Sequence, residues 1–299
     1  MTSNWTPTSP TSSADVPRAL HWRVNCMCNR KCPFCYGPEK LHEVRAEESQ
    51  PVLAKMIDLG IRTFILTGGE PLLGRKIDEV LRFLRSYDAQ ILLYTNCDYF
   101  DLHEDVLVEC LDTLCVPIEG ASEYVHDSVR GRNNMRAVLS VLDRYGNGAA
   151  PFKIKVGTVL GRHNLNELSA ILYLLDKYKI NVWKLYNYVR YTDRDVQSLW
   201  DKKQLGISDA EYRTATQVLM AVPERRTPVA LSSEFDRDNS YFMMNPDLNI
   251  VAPIRNQDGL FEDKVICSAR DHTPREIVRL WRATVDWSLY ADNLRASLF

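Results

Sequence analysis

Residues 26–37 read Cys26-Met27-Cys28-Asn29-Arg30-Lys31-Cys32-Pro33-Phe34-Cys35-Tyr36-Gly37, and Cys28, Cys32 and Cys35 stand in a C-x3-C-x2-C spacing. Three thiolates therefore fall on one short loop, with no fourth supplied nearby. Structural zinc closes with four ligands and an ordinary iron–sulfur cluster takes four cysteines, so this loop points to a cubane with one iron left open for a small molecule. Two rival readings stay open: a zinc knuckle completed by a distant His or Cys, and a set of redox thiols. Cys26 ends an apolar alternation through Leu20, Trp22 and Val24 and reads as a spare thiol. Cys97, Cys110, Cys115 and Cys267 are scattered too widely for a disulfide framework or a second ligand set. One cluster is expected.

Outward from the loop, the chain repeats a strand-then-helix rhythm. Short apolar runs rich in β-branched and aromatic residues predict strands over Leu20–Asn25, Arg62–Thr67, Gln90–Thr95, Thr113–Ile118, Phe152–Leu160 and Val182–Val189. Apolar residues at i, i+3 and i+4 predict helices over Glu47–Leu59, Ile77–Tyr87, Glu104–Leu111, Asn134–Tyr145 and Asn166–Tyr178. Six such units, with crossovers long enough for parallel pairing, imply an α/β fold: a partial (β/α)6 TIM-like barrel. After about residue 200 the rhythm changes. A charged helix over Ser208–Val222, short strands over Val229–Ser233, Tyr241–Asn245 and Ile250–Ile254, and an amphipathic helix over Pro274–Tyr290 predict a C-terminal α+β extension closing the barrel mouth. The expected division is a disordered leader (1–18), the barrel (19–200) and the extension (201–299).

Composition bounds the partners. The 299 residues are 45% hydrophobic, enough for a sizeable core, and no apolar run reaches the roughly 18 residues of a membrane span. A net charge of −2 argues against nucleic acid held on a basic face. Residues 1–18, rich in Thr, Ser and Pro, lack the apolar core of a signal peptide, so a reducing cytoplasmic setting is expected.

In a parallel α/β sheet, ligands gather at the strands' carboxyl ends. Those positions hold the cysteine loop, Gly68-Gly69-Glu70-Pro71, Asn96 and Glu119-Gly120, while Lys155 and Lys184 lie within the fifth and sixth strands. Taken alone, Gly68-Gly69-Glu70-Pro71 reads equally well as a tight turn. Following Cys28-x3-Cys32-x2-Cys35 at the next strand end, it makes the chain resemble a radical S-adenosylmethionine enzyme over about residues 20–190. The resemblance implies a [4Fe–4S] cluster on Cys28, Cys32 and Cys35, with S-adenosylmethionine chelating the open iron. It also implies an electron donor such as flavodoxin or ferredoxin. Gly68, Gly69 and Glu70 match the motif that receives the cofactor amine, and Phe34 matches an aromatic near the adenine. Arg132, in Val129-Arg130-Gly131-Arg132, matches an arginine that pairs with the cofactor carboxylate, a role suited to its planar fork. Arg130 and Arg132 share one short turn, so one of them reads as a surface charge. Asn96 and Glu119 complete the expected cofactor contacts.

For the substrate, Ile154–Asn164, Val182–Tyr186 and Asp238–Phe242 resemble segments of viperin-like nucleotide dehydratases. There Lys155 and Lys184 match lysines near substrate phosphates and Tyr241 a tyrosine near the sugar. Val182 and Gly157 replace an arginine and an asparagine of that pattern. Fewer cations suit fewer charges, such as one sugar carboxylate, and the likeness then extends to cytosylglucuronate decarboxylases of nucleoside-antibiotic pathways. The expected activity is hydrogen abstraction from the sugar of a nucleoside-like molecule followed by decarboxylation. Nucleotide dehydration, peptide maturation and a non-catalytic zinc module are the alternatives. Lysines at sheet edges often snorkel, and Tyr241-Phe242-Met243-Met244 also reads as core.

Overall fold

The computed structural model describes residues 16–74, 76–192, 194–233 and 241–286. The leader through residue 15, residues 238–240 and the end of the predicted last helix lie outside the described residues.

Six βα units form the frame. Strands β1 (Ala19–Arg23), β2 (Thr63–Thr67), β3 (Gln90–Tyr94), β4 (Thr113–Pro117), β5 (Lys153–Val159) and β6 (Val182–Tyr186) pair in sequence order, all parallel. The intervening helices are α1 (Ala46–Asp58), α2 (Lys76–Arg85), α3 (Phe100–Cys110), α4 (Glu123–Arg130), α5 (Asn134–Tyr145) and α6 (Leu168–Leu175). Then follow α7 (Ser198–Lys202), α8 (Asp209–Met220), β7 (Val229–Ser232), β8 (Met243–Met244), β9 (Asn249–Arg255), β10 (Phe261–Ser268) and α9 (Pro274–Arg282). Each predicted barrel strand is present, shorter by one to three residues.

The later strands extend the same sheet at both edges, giving the order β10-β9-β8-β1-β2-β3-β4-β5-β6-β7. β7 adds to β6 and β8 to β1 in parallel, while β9 and β10 turn back antiparallel. The charged strand Phe261–Ser268 escapes a hydrophobicity reading because an edge strand carries polar residues without cost. The result is a partial TIM-like barrel with a C-terminal extension.

Strand alternation sorts the two faces. Leu20, Trp22, Phe64, Leu66, Ile91, Leu93, Leu114, Ile154, Trp183 and Leu185 face outward into one apolar core with the helices. The alternate residues face inward: His21 and Arg23, Ile65 and Thr67, Tyr94, Cys115 and Pro117, Gly157 and Val159, Lys184 and Tyr186 all line a single cavity. Because residues of β1, β8 and β9 share that cavity with residues of β6, the sheet must curl around it.

Candidate active site

At the rim, the cysteine loop after β1 is stitched to the turn after β2. Gly69 N–H donates to Asn25 O at 2.9 Å and Glu70 N–H to Met27 O at 2.8 Å, and Asn25 Nδ2 donates to Glu70 O at 2.8 Å. Gly68 has φ +149°, and a Cβ there would lie 2.6 Å from Asn25 O; at Gly69 one would lie 2.1 Å from Met27 O. The two glycines therefore let the backbones of the two loops touch.

Cys28, Cys32 and Cys35 all line the cavity. N–H donors surround the sulfurs: Arg30 N–H lies 3.4 Å from Cys28 Sγ, Gly37 N–H 3.4 Å from Cys35 Sγ and Arg130 Nη1 3.8 Å from Cys32 Sγ. Burial pushes the Cys28 thiol up to about 12 and the Cys32 thiol up to about 11. Such thiols ionise only beside a compensating cation, and the surrounding donors are those that tune a thiolate-bound cluster. Among the described residues, no three His, Cys, Asp or Glu close on a single ion. The donor set, three thiols each with an N–H beside its sulfur, fits a thiolate-bound cluster. Cys26 points away, donating to Leu41 O and Glu43 Oε1.

Glu70 is buried, and its carboxylate accepts from Leu72 N–H at 3.0 Å, Thr95 Oγ1 at 2.6 Å and Asn96 N–H at 2.7 Å. Three of about four lone-pair sites are used, and Glu70 lines the cavity. Burial pushes the Glu70 carboxyl up, against these hydrogen bonds. Asn96, also on the cavity wall, donates through Nδ2 to Asn29 Oδ1 at 2.8 Å, and Asn29 in turn meets Asp98, which holds Arg30.

Arginine placement corrects the sequence reading. Val129–Arg132 is not one turn: α4 runs to Arg130, Ser122 caps its start, and Gly131 at φ +92° ends it. Arg130 thereby faces the cavity, while Arg132, beyond the glycine, is exposed and lies off the cavity wall. Arg130 Nη2 and Nε meet Glu119 Oε1 at 2.6 and 3.1 Å, and its guanidinium lies 4.9 Å from the Phe34 ring centroid. Glu119 is fully buried and also accepts from Val159 N–H at 2.8 Å. Burial pushes its carboxyl up and Arg130 pulls it back. The guanidinium stays protonated and faces Glu119 as a cation.

A network missed from sequence supports this corner. Glu119 N–H donates to His126 Nδ1 at 3.1 Å, which makes Nε2–H the donor to Asn134 Oδ1, also at 3.1 Å. Asn134 Nδ2 then donates to Asn96 O at 2.8 Å. Burial holds His126 down to about 4, so it is neutral as this direction requires. Gly120 is what allows the approach: a Cβ there would lie 2.6 Å from Val125.

Deeper in the barrel, Lys184 lines the cavity with its ammonium 5.5 Å from the Tyr186 ring centroid. Lys155 is also buried but sits behind the lining residues, 5.9 Å from the Tyr94 ring centroid, and burial pulls its ammonium down. Tyr241 lines the cavity, its ring 4.8 Å from His21, while Phe242 and Met244 go to the core. A second feature absent from the sequence reading is buried Arg23, which lines the cavity and shares Asp263 of β10 with Arg194. The alternation through Leu20, Trp22 and Val24 already put Arg23 on the inner face; its aspartate, 240 positions away, carried no local signal. The cavity measures about 230 Å³.

An inward-lined partial barrel with three cysteines on its first loop and a glycine-glycine-glutamate turn on its second defines a class of cluster-bearing α/β enzymes. Residues 23–197, more than half of the chain, match the Radical SAM superfamily, and the chain belongs to it. Members use a [4Fe–4S] cluster and S-adenosylmethionine. The chain is 26% identical over 165 residues to the AdoMet-dependent heme synthase of Methanosarcina barkeri, covering 52% of this chain and 46% of that protein. It is 30% identical over 153 residues to the GTP 3',8-cyclase of Synechocystis sp., covering 48% and 46%. The chain thus spans about half the length of the curated relatives it matches. Streptococcus suis SuiB bound to S-adenosylmethionine shares the fold, with a TM-score of 0.69, 15% identity, and coverage of 93% of this chain and 68% of SuiB. Among the described residues, no helix is long and apolar enough to cross a membrane.

Proposed function

We propose that this enzyme acts on the sugar of a small, anionic, nucleoside-like molecule and removes a carboxyl group from it. Cys28, Cys32 and Cys35 would hold the cluster, and Phe34, Gly68, Gly69, Glu70, Asn96, Glu119 and Arg130 would receive S-adenosylmethionine, Arg130 taking the place expected of Arg132. When bound, these cofactors and a one-electron donor of the flavodoxin or ferredoxin type supply a 5'-deoxyadenosyl radical that takes a hydrogen atom from carbon.

The observation that carries the substrate reading is Lys184, a buried ammonium on the wall of a cavity that the cysteines also line. An ammonium in such a place favours a carboxylate, and the surrounding Tyr94, Tyr186 and Tyr241 supply apolar faces for a ring and hydroxyls for a sugar. Lys155 adds charge from behind, and water exclusion strengthens both attractions. Anaerobic incubation of the reconstituted enzyme with dithionite, S-adenosylmethionine and cytosylglucuronate should yield 5'-deoxyadenosine and a product lighter by carbon dioxide. Cytidine triphosphate in a parallel assay tests dehydration, which gives a product lighter by water. Formation of 5'-deoxyadenosine with neither product would overturn the substrate reading.

A further inference from the structure

Cys115 has no part in the chemistry above, yet it stands on the inner face of β4 and lines the cavity together with the three loop cysteines. Among the described residues, Cys97, Cys110 and Cys267 are buried elsewhere, off the cavity wall. Strand register sets Cys115 beside Tyr94 on β3 and Lys155 on β5. The hydroxyls of Tyr94 and Tyr186 lie 3.3 Å apart, and both rings line the cavity with Lys184. A thiol, two linked phenols and the Lys184 ammonium thus converge on one wall, with Lys155 behind it.

We infer that Cys115 is the hydrogen-atom donor that quenches the substrate radical at the end of the reaction. This step rests on the radical decarboxylation proposed above. After hydrogen abstraction, carbon dioxide leaves, the electrons of the broken carbon–carbon bond stay on the substrate, and the carbon that bore the carboxyl group takes a proton from the Lys184 side. One unpaired electron remains on the neighbouring carbon. The S–H bond of Cys115 breaks homolytically, the new C–H bond forms, and a thiyl is left. One electron from the flavodoxin- or ferredoxin-type donor and one proton restore the thiol. An S–H bond is weaker than a sugar C–H bond, so the transfer to carbon runs downhill. Burial pushes the Cys115 thiol up to about 11 despite the pull of Lys155, Tyr94 and Lys184, which keeps hydrogen on sulfur at neutral pH.

The test compares wild type with Cys115→Ala and Cys115→Ser, assayed with cytosylglucuronate in deuterated buffer. Because a thiol hydrogen exchanges with solvent, wild-type product should carry deuterium at the carbon from which hydrogen was abstracted. Both variants should still form 5'-deoxyadenosine, which shows that they fold and load the cluster, but product per 5'-deoxyadenosine should fall by about tenfold or more. A variant that returns product deuterated at that same carbon, at the wild-type ratio to 5'-deoxyadenosine, overturns the role of Cys115 and leaves the decarboxylation intact. Wild type that forms neither 5'-deoxyadenosine nor carbon dioxide overturns the radical reading and this step with it. Methyl methanethiosulfonate applied to the reconstituted enzyme gives a readout independent of turnover. Because only the thiolate reacts, peptide mapping should find Cys115 labelled slowly at neutral pH and faster as pH rises, with Cys110 untouched; a Cys115 that stays unlabelled even at high pH would place its thiol out of reach and overturn the step.

Discussion

The rim and the inner wall of the barrel are built differently. At the rim, backbone meets backbone: Gly69 on Asn25, Glu70 on Met27, with no room for a Cβ at either glycine. Along the wall, the working groups are side-chain ends set by strand register: Tyr94 and Cys115 in one row, with Lys155 behind them, and Lys184 in the next, opposite Gly157. A rim fixed by main chain holds one cofactor geometry and tolerates little change, whereas a wall of side chains can be reassigned residue by residue without moving the frame. That contrast fits a superfamily whose members share a fold and differ in reaction.

The sharpest break between the two regions comes from the cysteines. Replacing Cys28, Cys32 or Cys35 with Ala should abolish visible iron–sulfur absorbance and all 5'-deoxyadenosine, while wall variants keep both. Gly69→Ala should come next, because its Cβ would sit 2.1 Å from Met27 O. Loss of iron from the purified variant, together with a lowered melting temperature, checks this. Glu119→Ala strands the Arg130 charge at the edge of the rim and should cost about 3 kcal/mol of stability, read by denaturant melts. Lys184→Ala should leave cofactor cleavage intact and raise KM for the carboxylate substrate about 10- to 100-fold, the worth of one charge-assisted hydrogen bond, with Lys184→Arg intermediate. Steady-state kinetics at fixed S-adenosylmethionine decide it.

The smallest effect is a dependence on pH. Burial holds His126 and His163 down to about 4, against an ordinary value of 6.5. The unfolded chain therefore binds more protons between those values, so stability is complete above pH 6.5 and is lost as pH falls toward 4. Each histidine contributes at most about 1.4 kcal/mol per pH unit. Thermal melts at pH 7 and pH 5 should show the decline, and His163→Leu should flatten it.

Much of the rim was legible because its chemistry is local: the cysteine spacing and the glycine pair sit within single loops. Arg130 was misread for want of a helix, although Ser122 at the cap, Val125 and Val129 four apart, and Gly131 at the end together spell α4. His126 then falls one turn before Arg130 on the buried face. The wall was half legible. Lys155 and Lys184 stand out as charges inside apolar strands, but Tyr94, Cys115 and Tyr186 look like ordinary strand residues until register brings them together. Asp263 had no signal at all, since its meaning depends on Arg23 and Arg194.

β1 launches the cysteines, yet one of its two flanking strands is β8, and the Arg23 side chain finds Asn245 and Asp263 at separations of 222 and 240 positions. On the ribosome, synthesis must run through β8 before that strand is enclosed on both sides. Contacts of such span form slowly, so the wall beside the cysteine loop closes well after that loop has been made. A polypeptide stalled before residue 240 would offer its thiols from an open sheet edge, prone to stray metals and to pairing with its neighbours.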